Sequence, residues 1–94
     1  MKHLKDFAQT RHDGAEKISK GAKEKGGHSL LTWRHFDVKL PYYKSVVDDE
    51  FDLEEAKKEF HKTLKSINLE MSQNEFQKEV GRLEVLGELI LKSK

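Results

Sequence analysis

The chain has 94 residues, of which 37% are charged and 35% apolar, with a formal net charge of +1 and no cysteine. That length holds one small core and excludes two, and the lack of cysteine excludes disulfide frameworks, thiolate metal sites and thiol catalysis. No apolar run approaches the roughly 20 residues that cross a bilayer, and Met1-Lys2-His3-Leu4-Lys5-Asp6 lacks the apolar stretch of a secretory signal, so a cytoplasmic protein is expected.

Charge is unevenly placed. Residues 1–47 carry ten Lys and Arg against five acids, and residues 48–94 carry eight against twelve. Either the two halves attract each other within the fold, or the basic half offers a surface to nucleic acid or to an acidic protein.

From the N-terminus, Leu4, Ala8, Arg11, Ala15, Ile18 and Ala22 keep helical spacing and predict an amphipathic helix over about residues 3–24. Its apolar side chains are small, and Gly14 and Gly21 weaken it, so packing on the rest of the chain or on a partner must order it. Gly26-Gly27 should end it, because glycine readily takes the positive backbone angles of a helix end. Residues 1–27 thus read as an N-terminal helix or arm, and residues 28–94 as the helical core.

Four of the eight aromatic residues follow within eleven positions: Trp33, Phe36, Tyr42 and Tyr43. Leu30, Trp33, Phe36 and Leu40 fit helical intervals, while Pro41 interrupts a helix or begins a new one in its first turn. Two helical pieces around a proline bend are predicted. A strand through Trp33 to Leu40 is the alternative, since alternation also fits part of the segment.

Asp52-Leu53-Glu54-Glu55 is a helix start with acids at its positive end, and Leu53, Ala56, Phe60, Leu64 and Ile67 then form one stripe over about 53–68. Ser72-Gln73-Asn74-Glu75 repeats the signal and opens a helix over about 73–91, with Phe76, Val80, Leu83, Leu86 or Gly87, and Ile90 as its principal face. The short link predicts an antiparallel hairpin in which Phe60 and Leu64 meet Phe76, Val80 and Leu83. Gly81 and Gly87 each cost such a helix about 1 kcal/mol relative to alanine, which close approach of another helix would explain. The expected fold is an all-α small helical bundle with a C-terminal antiparallel helical hairpin and a proline-bent aromatic segment.

Catalytic patterns are missing from the sequence. His3, His12, His28, His35 and His61 include no His-x-x-x-His pair, and the acids from Asp48 to Glu59 match no calcium loop. Ser29, Ser45 and Ser72 lie in no nucleophile motif, and there is no phosphate loop. A non-enzymatic protein is expected, with no cofactor or metal; an enzyme with a dispersed site ranks last. His35 should be partly buried and hydrogen-bonded. The aromatics either build the core or, with Trp33, Arg34, His35, Tyr42 and Tyr43, form a recognition surface for a protein partner. Lys17, Lys20 and Lys23, spaced by three, are candidate anion contacts, interrupted by Asp13, Glu16 and Glu24.

Two segments carry a resemblance: Lys25-Gly26-Gly27-His28-Ser29-Leu30-Leu31-Thr32-Trp33-Arg34-His35-Phe36 with Lys39-Leu40-Pro41-Tyr42-Tyr43, and Glu79-Val80-Gly81-Arg82-Leu83-Glu84-Val85-Leu86-Gly87-Glu88-Leu89-Ile90. Together, over about a third of the chain, they resemble small uncharacterised proteins of tailed bacteriophages, including phages of marine bacteria. Met1-Lys2 with Asp6-Phe7 is also similar to the head-targeting starts of some contractile-tailed phage proteins. Those lead to Leu-x-Glu or Ile-x-Glu processing sites, from which Leu4-Lys5-Asp6 and Ile18-Ser19-Lys20 depart. The resemblance implies a virion-associated or accessory protein and brings no catalytic residues. The function expected is protein binding, in a phage particle, against a host protein or by self-association; the alternative is a nucleic-acid-binding accessory protein. No membrane partner is expected.

Overall fold

The computed structural model describes residues 2–27 and 29–93, without the side chain of Lys2; Met1, His28 and Lys94 lie outside the described residues. Among the described residues five helices follow one another: α1 Lys2–Lys25, α2 Ser29–Asp37, α3 Leu40–Val47, α4 Leu53–Ser66 and α5 Gln73–Lys92. There is no strand among the described residues, so the strand alternative for Trp33 to Leu40 gives way to two helices.

Local chemistry sets the borders. Gly26 and Gly27 take φ values of 66° and 57°, which stops α1 and turns the chain into α2. Pro41 sits in the first turn of α3, where a missing N–H costs no helical hydrogen bond. The Asp52 carboxylate accepts from the Glu55 N–H at 3.1 Å, and the Ser72 hydroxyl accepts from the Glu75 N–H at 3.2 Å. Both caps therefore act where the sequence placed them.

α1 is a layer of the core. Leu4, Ala8 and Ala15 share one buried cluster with Tyr43, Val46, Ala56, Val85, Leu86 and Leu89, and α1 packs on both α2 and α3. Its small residues let those helices come close, while Ser19, also buried, donates to Asp37 at 3.4 Å. The Cα extents are 39 × 29 × 16 Å. At helix separations of roughly 8–10 Å, the short dimension holds only two layers.

α5 is central, and its burial differs from the expected pattern. Gly81, Val85, Leu86 and Leu89 are buried; of the expected stripe Leu86 is in the core and Ile90 packs against it, while Phe76, Val80 and Leu83 lie outside it. α2 crosses at Gly81, where a Cβ would run into the His35 carbonyl oxygen and lie 2.7 Å from Val38 Cγ1. At Gly87 a Cβ would meet Phe60 of α4 at 3.4 Å. The close-approach explanation thus holds for Gly81, whereas at Gly87 a side chain would be in ordinary contact with the Phe60 ring. Ion pairs Lys5–Asp49 at 2.6 Å, Lys39–Glu84 at 3.1 Å and Arg11–Glu88 at 3.7 Å join the basic half of the chain to the acidic half.

Candidate functional site

Tyr42 and Tyr43 are adjacent on α3, so their side chains leave it about 100° apart and reach different helices. The Tyr42 hydroxyl donates to Glu59 of α4, and the Tyr43 hydroxyl donates to Glu88 of α5 at 2.6 Å. Burial first, and the carboxylate partner second, push the Tyr42 phenol up to about 12, and the same causes raise that of Tyr43 further. Both therefore stay protonated as donors. Tyr43 is only 3% exposed, which corrects its assignment to a recognition surface: its ring fills the core. Tyr42 is half-buried in the same framework.

His35 also turns inward. Its Nε2 lies 3.1 Å from Glu84, whose other oxygen accepts from Lys39 Nζ at 3.1 Å. Burial and the nearby Lys39 charge lower the imidazole pKa and together outweigh the opposing pull of Glu84. His35 is thus half-buried and polar-partnered, as its place in the aromatic segment suggested.

Trp33 and Arg34 remain half-buried at the surface. The Arg34 guanidinium lies 4.6 Å and Lys23 Nζ 5.1 Å from the Trp33 ring centroid, so cations already occupy the ring where a base would stack. Lys20 pairs with Glu16 at 3.7 Å, while Lys17 lines a shallow depression with Lys25, Ser29 and Thr32. The three candidate anion contacts are therefore exposed, but only Lys17 and Lys20 are away from Trp33.

The α4–α5 hairpin has two unlike sides. On one, a groove is lined by Glu55, Lys58, Glu59, Lys62, Glu79 and Arg82, and Arg82 donates to Glu79 at 2.6 Å. Its three acids and three bases leave the groove without net formal charge. Among the described residues, no group of three or more His, Asp or Glu is placed to hold a metal ion. No helix of the described chain is long and apolar enough to cross a membrane.

The other side is an apolar seam that does not close. Ala56 and Thr63, rather than Leu64, are the buried residues of α4. Leu64 is 53% exposed and Phe76 39%, while Phe60, Val80 and Leu83 are half-buried. Leu64, Phe76, Val80 and Leu83 belong neither to the buried cluster nor to the apolar side chains packed against it. This corrects the expectation that Leu64 and Phe76 bury each other. The reason is rotation: Ala56 and Thr63, with Phe60 beside Gly87, mark the side of α4 that meets the rest of the fold, and Leu64 lies at the edge of that side. A signal existed in the sequence, because Val85 and Leu89 gave α5 a second apolar side that could take the core. No protein-family model matches the chain, and no match was found among curated proteins or solved structures.

Proposed function

We propose that this chain is a non-enzymatic helical protein-binding module that engages its partner through the open seam of the α4–α5 hairpin. The observation that carries this reading is the exposure of Leu64 and Phe76, next to Val80 and Leu83 that the core does not use. A small domain gains stability by burying large apolar residues, so apolar side chains left outside the core on two helices that pack together fit an interaction surface. The polar groups of the aromatic segment support the same reading, since Tyr42, Tyr43 and His35 have partners inside the fold. The resemblance to small phage proteins suggests a partner in the phage particle or in its host.

The test is site-specific photo-crosslinking in expressing cells, with the reactive group at position 64 or 76 and, as control, at the exposed position 13. A discrete adduct from 64 and 76 but not from 13 is the expected result. Equal labelling from all three positions, or none from 64 and 76, would discard the seam as the binding surface.

A further inference from the structure

Charge along the seam selects the partner. Lys57, His61 and Lys65 recur every four residues on α4, so they form a row running beside the row of Phe60 and Leu64. Lys58 and Lys62 line the groove on the other side of α4 together with Glu59, which is held by Tyr42, so the charge of this edge is that of Lys57 and Lys65. Lys57 lies 3.6 Å from the exposed Glu54, and no ion pair of Lys65 occurs among the described residues. Across the seam, Gln73 and Gln77 flank Phe76 and Val80 without charge. The next acid along that flank, Glu84, is taken by His35 and Lys39. The seam is thus apolar at its floor, basic on one edge and neutral on the other.

From this we infer that the seam receives an acidic amphipathic helix of another protein, an inference that rests on the protein-binding reading above. An amphipathic helix presents apolar anchors at intervals of three and four, which is the spacing of the exposed seam residues. Carboxylates four apart on one of its flanks would follow the Lys57, His61 and Lys65 row over roughly 12 Å, at 1.5 Å per residue. Rim charges of this kind set orientation and association rate and discriminate against like-charged partners. A second copy of this chain is a poorer occupant. Its own seam would set the basic row against itself or against Gln73 and Gln77, and neither arrangement is complementary in charge.

The probes are synthetic amphipathic helices of about 18 residues with one leucine face, flanked either by glutamates or by lysines, and a glutamate-flanked control whose leucines are serines. Fluorescence anisotropy with the full chain, near 0.1 M salt, should show the glutamate-flanked helix binding about ten-fold tighter than the lysine-flanked one. The serine control should not bind. A Lys57→Glu, Lys65→Glu double variant, exposed at both sites and checked by circular dichroism, should reverse the preference. Equal binding of both leucine helices, or binding of neither, overturns the acidic partner, while the crosslinking result decides the protein-binding reading separately. Sedimentation showing a dimer that Leu64→Asp dissociates would overturn it in favour of a second copy.

Discussion

Helices α1 and α5 both carry two internal glycines, and the structure uses them in opposite ways. Around Gly14 and Gly21 of α1 an added methyl group would meet nothing within 4 Å, whereas at Gly81 of α5 it would strike the backbone of α2. The intrinsic cost to a helix is the same, about 1 kcal/mol relative to alanine. Only α5 recovers it through packing at the crossing with α2. α1 is held instead by its opposite side, where Leu4, Ala8 and Ala15 enter the core. A glycine in a helix therefore says little until the neighbour on that face is known.

The largest break in this comparison is removal of α1 itself. Deleting residues 1–26 strips three members from the buried cluster and uncovers α2 and α3, so the remainder is expected to lose cooperative unfolding. Thermal denaturation followed by circular dichroism reads it directly. A sharp melt in the truncated chain would make α1 a separable arm.

Gly81→Ala comes next. The added carbon meets a main-chain carbonyl that cannot rotate away, so the gain in helix propensity is outweighed by displacement of α2. A loss of roughly 1–3 kcal/mol is expected in urea titration. Wild-type stability would show that α2 moves freely on α5.

Gly14→Ala should act in the other direction. With open space at the site, the variant gains about 0.5–1 kcal/mol from helix propensity and a less disordered unfolded chain. Measured together, the two alanine variants give the glycine comparison a sign as well as a size.

The finest probe of the α2–α5 crossing is pH. His35 has its pKa lowered below 6.5 by burial and by Lys39 in the folded state, so the unfolded chain binds more protons between the two values. Its contribution to stability is complete above pH 6.5 and is lost as pH falls through the folded pKa. Urea titrations from pH 7.5 to 5 should show a decline that is shallower in His35→Gln. Identical pH profiles for the two proteins would separate His35 from the crossing.

Much of the chain was legible from neighbouring residues. Asp52 and Ser72 began helices at the expected turns, Gly26-Gly27 ended one, and Pro41 opened another. The aromatic segment was read less well. Tyr43 looked as available as Trp33, yet Tyr43 is buried beside Glu88 and Trp33 stays at the surface beneath two cations. The seam was hidden for a related reason, because Leu64 and Phe76 have the spacing of core residues and lie outside the core.

The sequence by itself determined the all-α class and the helix borders, because capping, proline and glycine effects act over three or four residues and need no distant contact. Only the tertiary structure decided the rotation of α4 and α5 about their axes. Apolar residues cover so wide an arc of α5 that either the Phe76–Val80–Leu83 row or the Gly81–Val85–Leu89 row could have faced the core. The choice fell to Gly81, whose missing side chain admits the α2 backbone and leaves the other row outside.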